Sequence, residues 1–274
     1  MRLTFWGTRG SITNPGPDKV QYGANTACVS MQQGDERIIM DAGLGIVLLG
    51  DRIMDWRLPK ERLHLHLFLS HLHWDHVIGL PFFTPVFFQN IELSIWGRSR
   101  EEIESATERL FTSTYSPING TANLGAKLHY RAVGTDPIEV GPFTVSTAAL
   151  HHPAGSLAFR VEAGGKSVVY ASDHESGDDA VDQALVDLAQ DANVLIHDAQ
   201  WTLTEHQRFP GFGHSTWKQA VDHAANAKVE HLILFHHHHR HDDLTLDEIL
   251  RKARDAAPAP MKVTMARDGL VFDP

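Results

Sequence analysis

The segment Leu67-Phe68-Leu69-Ser70-His71-Leu72-His73-Trp74-Asp75-His76 constrains this chain more than any other. An apolar run ends abruptly, and four groups able to bind a metal follow within six residues. His71 and His73, two apart in extended or looped backbone, can point to one side. Asp75 and His76 lie where the chain turns into a helix. Imidazole and carboxylate together suit borderline divalent ions such as Zn²⁺ or Mn²⁺. Four such groups exceed what a single tetrahedral ion with an open position requires. The spacing therefore points to a centre of more than one metal at the end of a buried strand.

Composition sets the frame around this centre. The chain has 274 residues, 42% of them hydrophobic and 21% charged, which suits a globular protein with a large core. We read residues 1–274 as a single domain, since no linker, repeat or charge block divides them. No apolar run approaches the length of a membrane span. Met1 to Trp6, soon interrupted by Gly7 and Arg9, is too short for a signal peptide, so a cytoplasmic protein is expected. The one cysteine, Cys28, excludes an intrachain disulfide framework and a cysteine-rich zinc site. A formal net charge of −10, with no basic patch, argues against duplex DNA as a partner. It says little about a small anion, because bound divalent cations dominate their own pocket. The 19 histidines are the anomaly, and they cluster near a few strand ends.

Short strands are expected at Leu3–Trp6, Ala27–Gln32, Arg37–Met40, His64–Leu69, Ile91–Trp96, Phe143–Thr147, Ala158–Glu162, Ser167–Ala171, Val194–His197 and His231–Phe235. His64 and His66 alternate with leucines and are read as the polar face of their strand. Helical periodicity covers Arg98–Leu110, Asp179–Gln190, Ser215–Ala227 and Leu244–Ala256. Thr245 to Glu248 fits a capping box opening the last of these, and Ser215 suits an N-cap. The strands come in two groups, each followed by helices. That order predicts an α/β (α+β) architecture in which two mixed sheets pack face to face, flanked by helices, with their strand-end loops converging on one edge.

The motif His71-x-His73-x-Asp75-His76 after a strand resembles the signature of the metallo-β-lactamase superfamily, and the resemblance extends over essentially the whole chain. It implies the four-layer αββα sandwich. It also implies that a first metal takes His71, His73 and a third histidine, for which His151 and His152 are candidates. His152-Pro153 followed by Ser156-Leu157-Ala158-Phe159-Arg160 resembles the ribonuclease Z branch and favours His152. The bridging carboxylate would be Asp173, at the end of Val168-Val169-Tyr170-Ala171-Ser172-Asp173. Asp75, His76 and His236 would complete the second metal, with Asp75 and Asp173 also orienting the nucleophile. His237 to His239 are read as rim residues. Phe5-Trp6-Gly7-Thr8-Arg9-Gly10-Ser11 resembles the branch's opening strand and turn. Asp41-Ala42-Gly43-Leu44-Gly45 resembles the turn beside its metals, with Asp41 orienting a ligand histidine. Gly213-His214-Ser215-Thr216 resembles its His-Ser-Thr motif, and His197-Asp198-Ala199-Gln200 stands where the branch carries His-Glu-Ala-Thr.

The resemblance implies hydrolysis through a hydroxide bridging two divalent ions, Zn²⁺ or Mn²⁺, held roughly 3.5–4 Å apart. His214 would protonate the leaving oxygen, and Asp198 would hold His214 in its tautomer. Ribonuclease Z proper carries a long arm between the third histidine and the bridging carboxylate. Here His152 and Asp173 are only 21 positions apart, filled by a hairpin around Gly164-Gly165, so processing of transfer RNA is not expected. The expectation is a phosphodiesterase acting on cyclic nucleotides or other small cyclic phosphodiesters. Aromatics of the segment 81–133 (Phe82, Phe83, Phe87, Phe88, Phe111, Tyr115) could supply a lid or base-stacking wall. The rival is a lactone, thioester or β-lactam hydrolase, which shares the metals but tends to lack the His-Ser-Thr element. A diiron redox protein ranks lower, because the motif keeps all its histidines and no flavodoxin-like partner domain is present. A homodimer is expected by analogy with relatives.

Overall fold

The computed structural model describes residues 1–56 and 62–274. Fourteen strands among them form two seven-stranded mixed sheets. The first holds β1 (Arg2–Gly7), β2 (Cys28–Gln33), β3 (Glu36–Met40), β4 (Leu63–Phe68), β5 (Ile91–Gly97), β6 (Lys127–Ala132) and, paired with β1, β14 (Val271–Phe272). The second holds β7 (Ile138–Val140), β8 (Phe143–Leu150), β9 (Ser156–Ala163), β10 (Lys166–Ala171), β11 (Val194–Asp198), β12 (His231–Phe235) and β13 (Lys262–Met265). In each sheet antiparallel strands give way to a run of parallel ones, β3 to β6 in the first and β10 to β13 in the second.

Alternation along these strands builds the layers. Val168, Tyr170, Ile196, Ile233 and Phe235 point into the core between the sheets, where they meet Phe5, Met31, Phe68 and Phe159. Their neighbours Val169, Leu195, Leu232 and Leu234 point outward and pack beneath helices. A strand apolar on both faces must be covered on both, which is why helices flank the sandwich. Helices α4 (Asp179–Leu188), α6 (Trp217–Asn226) and α7 (Asp243–Ala256) cover the second sheet through Leu185, Val221, Leu246 and Ile249. Helices α1 (Gly45–Trp56) and α3 (Arg100–Leu110) cover the first through Ile46, Leu49 and Ile103. Each fully buried Phe, Leu or Ile contributes roughly 1.5–3 kcal/mol. Two short helices, α2 (Trp74–Val77) and α5 (Leu203–His206), lie in the loops near the sheet edge. No helix of the described residues is long and apolar enough to cross a membrane.

The αββα sandwich and the order of the strand groups are as expected from the sequence. Two caps differ. Asp242, not Thr245, caps α7, accepting the Thr245 N–H at 2.8 Å. Thr216, not Ser215, caps α6 through a capping box with Gln219. A neighbouring carboxylate or hydroxyl, one turn earlier in α7 and one residue later in α6, competes for the same orphan N–H groups, and periodicity does not see which wins. Ser215 instead donates its hydroxyl proton to the carbonyl of His174 at 2.6 Å.

Candidate metal centre

The parallel strands of both sheets end at one edge, and the site is built from the residues that follow them. In the first sheet β3, β4 and β5 end level with one another, Met40 opposite Phe68 and Phe68 opposite Trp96. In the second, Ala171, His197 and Leu234 are aligned on β10, β11 and β12. Asp41, Asp173 and His236 each lie within two residues of such an end, and each has a positive φ, near 60°. A left-handed residue turns the chain sharply out of the strand and throws its side chain across the edge.

This brings together all seven residues expected at the metals. His71 Nε2 faces Asp173 Oδ2 at 3.7 Å, and His152 Nε2 faces the same oxygen at 3.8 Å. His152 Nε2 also lies 3.0 Å from His73 Nδ1. Asp173 Oδ1 looks the other way, 3.1 Å from His76 Nε2 and 3.2 Å from His236 Nε2. Asp75 Oδ2 closes that second group, 3.3 Å from His76 Nε2 and 3.1 Å from His236 Nε2. Two sets of donors thus share one carboxylate: His71, His73 and His152 on one side, Asp75, His76 and His236 on the other. His151 lies outside, exposed, with Nδ1 3.1 Å from the Glu175 carbonyl.

The outer nitrogen of several rings is already engaged, which fixes the tautomer. His76 Nδ1 donates to Asp41 Oδ2 at 2.7 Å, and His152 Nδ1 donates to the Gly213 carbonyl at 2.8 Å. His71 Nδ1 sits 3.1 Å from Ser70 Oγ, whose own proton goes to Asp41 Oδ2. The inner nitrogens are therefore lone pairs. His71 Nε2 is buried with no hydrogen-bond partner among the described residues. An orphan buried lone pair facing a carboxylate fits a cation site. The residues fit divalent metal ions.

Charge supports the same fit. Burial, and then neighbouring His76, hold His71 well below the usual imidazole range; burial likewise lowers His73 and His152, keeping them neutral. His76 behaves oppositely: burial disfavours its charge, yet Asp173, Asp75 and Asp41 outweigh burial and raise it well above. Asp173 and Asp75 stay ionised, since the histidines around them outweigh a burial that alone would raise both. The field at this point favours a cation.

Beside the cluster, His214 Nδ1 donates to Asp198 Oδ2 at 2.7 Å, and the same nitrogen is 3.8 Å from Asp173 Oδ2. Burial opposes a charge on His214, but Asp198, joined by Asp173 and Asp75, pushes its pKa up to about 9. Asp198 is pinned by the Gln200 N–H at 2.9 Å. The shortening from Glu to Asp at this position does not lose the pairing.

Other expected residues also have definite places. Ser11, at the end of the opening glycine turn, donates its N–H to Asp75 Oδ2 at 2.7 Å. A Cβ on Gly10 would come within 2.4 Å of His236 Cε1, so this turn must approach as bare backbone. The reading of His237 to His239 as rim residues holds for neither face of the first: His237 is fully buried, its Nε2 2.8 Å from the Ala266 carbonyl. Of the segment 81–133, Phe83 and Phe111 belong to the core, while Phe82, Phe87 and Tyr115 are exposed. Sequence reasoning missed Tyr170, whose hydroxyl donates to Asp41 Oδ2 at 2.7 Å. It also missed Glu175, which accepts the N–H groups of Gly211 and Gly213 at 2.7 Å each. Neither carries a motif; both act from a distance in sequence.

The fold and this edge define a metallo-β-lactamase-type sandwich. Residues 36–237 match the family model described as beta-lactamase superfamily domain, and the chain belongs to that family of hydrolases. Ribonuclease Z of Haloarcula marismortui is 22% identical over 98% of this chain and 96% of its own. The metallo-beta-lactamase fold protein YhfI from Bacillus subtilis superposes with a TM-score of 0.71 and 21% identity, over 99% of this chain and 98% of that one. A diphosphatase from the PhnP family superposes with a TM-score of 0.68 and 18% identity, over 99% and 97%.

Proposed function

We propose that the protein is a binuclear metal-dependent phosphodiesterase acting on small diesters, cyclic nucleotides or other cyclic phosphodiesters among them. The pairing of His214 with Asp198 beside the clustered donors carries this reading. His71, His73 and His152 would hold one divalent ion, Asp75, His76 and His236 the other, and Asp173 would serve both. Zn²⁺ and Mn²⁺ suit these nitrogen and oxygen ligands. Bound there, the ions supply Lewis acidity and a water acidified toward neutral pH.

The chain's own groups then divide the work. His214 commits Nδ1 to Asp198, which leaves Nε2 as the edge that meets a substrate. As the bond from phosphorus to the leaving oxygen breaks, His214 gives that oxygen its proton, and Asp198 stabilises the charge on the ring beforehand. Water supplies the hydroxyl that ends on phosphorus, and the proton it sheds leaves to solvent, from which His214 is reprotonated. Asp75 and Asp173 keep the centre's net positive charge low and orient that water. Proteins named ribonuclease Z among the relatives support chemistry at phosphorus. The short β9–β10 hairpin, Ala163 opposite Lys166, leaves no arm for a transfer RNA and favours a small substrate.

The test is direct. Metal per chain is measured on purified protein, followed by turnover of bis(p-nitrophenyl) phosphate, 2′,3′- and 3′,5′-cyclic nucleotides, a precursor transfer RNA, nitrocefin and a lactone. Two metals and phosphodiester turnover are expected. Cleavage of nitrocefin or lactone alone would overturn the reading.

A further inference from the structure

The mechanism above leaves the loop before His214 without a task, and that loop carries an unusual set of rings. Trp201 meets His214 edge-on, with ring centroids 6.2 Å apart at 70°. Phe209 stacks on Trp201 at 5.0 Å and 17°. Phe212 meets Phe209 edge-on at 5.6 Å and 70°. Exposure rises outward along this array, from 4% at Trp201 through 38% at Phe209 to 60% at Phe212.

The loop is tied to the metal centre rather than free to drift. Glu175 holds the N–H groups of Gly211 and Gly213, and the Gly213 carbonyl accepts from His152 Nδ1. Gly213 has a φ of +85°, and a Cβ there would come within 2.1 Å of His152 Nδ1, so the backbone runs directly against a candidate metal ligand. The buried indole N–H of Trp201 has no acceptor among the described residues. A loop braced in this way leaves Phe209 and Phe212 partly open to water and joined through Trp201 to His214. Exposed aromatic faces on a rigid mount suit a flat ring that stacks on them.

We infer that Phe209 and Phe212, backed by Trp201, form the specificity wall for the leaving-group side of the substrate, and that this side carries a planar heteroaromatic ring, as in a nucleoside. The inference rests on the phosphodiesterase reading and narrows it: nucleoside-bearing diesters are preferred to aliphatic ones. It also moves the base-stacking wall from the segment 81–133 to the loop that precedes His214.

The test compares kcat/KM for 2′,3′-cyclic AMP and for the ring-free glycerol 1,2-cyclic phosphate in metal-loaded protein. Wild type, Phe209→Ala/Phe212→Ala and the volume-keeping Phe209→Leu/Phe212→Leu are assayed, together with AMP affinity by calorimetry. In both double variants the preference for the nucleoside substrate should fall roughly 5- to 100-fold, through KM, with a parallel loss of AMP affinity. Phe209→Tyr should restore the stacked face and hold the wild-type preference. An unchanged ratio in variants that still turn over both substrates would overturn the wall while leaving the phosphodiesterase reading intact. Leucine variants matching wild type would overturn it too, since bulk without a π-face would then suffice. If wild type cleaves neither diester, the phosphodiesterase reading fails. The wall is then judged on AMP affinity alone, upheld by its fall in the double variants and overturned by its constancy.

Discussion

Asp41 Oδ2 accepts the Nδ1 proton of His76 at 2.7 Å, joining the turn after β3 to the motif after β4. The same carboxylate takes the Ser70 hydroxyl, the Ser70 N–H and the Tyr170 hydroxyl. Asp41 touches no substrate, yet it sets which nitrogen of His76 faces inward. Asp41→Asn should therefore weaken the second metal by about 10- to 100-fold, as expected for loss of a partner that orients a ligand. Titration with a metallochromic chelator measures this. Equal affinity in the variant and wild type would contradict the role.

His214→Ala should retain both metals while kcat for phosphodiesters falls by about 10²–10⁴, the usual worth of a positioned proton donor. Asp198→Asn should lose turnover in the same direction with the metals in place. Metal analysis alongside steady-state kinetics separates the roles. A loss of metal in His214→Ala would make that histidine a ligand instead.

Asp173 faces both donor sets, so its removal should disturb both. Asp173→Ala is expected to fall from two metals per chain to one or none under conditions that saturate wild type. Inductively coupled plasma analysis after gel filtration reads the count. Retention of two tightly held ions would show that the donor sets are independent.

Asp268 offers a prediction remote from the metals. Burial pushes its carboxyl up to about 6, although it accepts the N–H groups of Ala24 and Asn25. A folded pKa above the unfolded value of ~3.9 means that the stabilising contribution is complete below about pH 4 and is lost as pH rises through 6. Asp268→Asn cannot ionise, so its stability relative to wild type should improve between pH 4.5 and 7.5, by up to about 2 kcal/mol. Urea unfolding of both proteins at the two pH values gives the difference. A gap between them that does not change with pH would rule out an ionising, strained Asp268.

The motif from His71 to His76 was legible in the sequence because its donors are local and end an apolar run. Asp173 and His236 were legible for the same reason: each is among the first polar residues after a buried strand. The residues that brace Asp41 and the loop before His214 were less so, because Tyr170 and Glu175 act across the fold and bear no local mark. Helix α1 escaped notice because Gly45 and Gly50 interrupt its apolar run. Gly50 is there for a close approach, since a Cβ would meet the Phe83 ring at 2.8 Å. The edge strands β6, β7, β13 and β14 are short or half-exposed and lack the alternation that marks a buried strand. His237 looked like part of a polar tract, yet its ring is enclosed in the interior by contacts that sequence order does not reveal.

The donors of the site come from both sheets, His71, His73, Asp75 and His76 after β4, and His152, Asp173 and His236 after β8, β10 and β12. The centre is thus a seam between two half-chains, and neither half owns it. Ions bound there would act as rivets across the seam, so that whatever strips them also loosens the grip of the first hundred-odd residues on the rest.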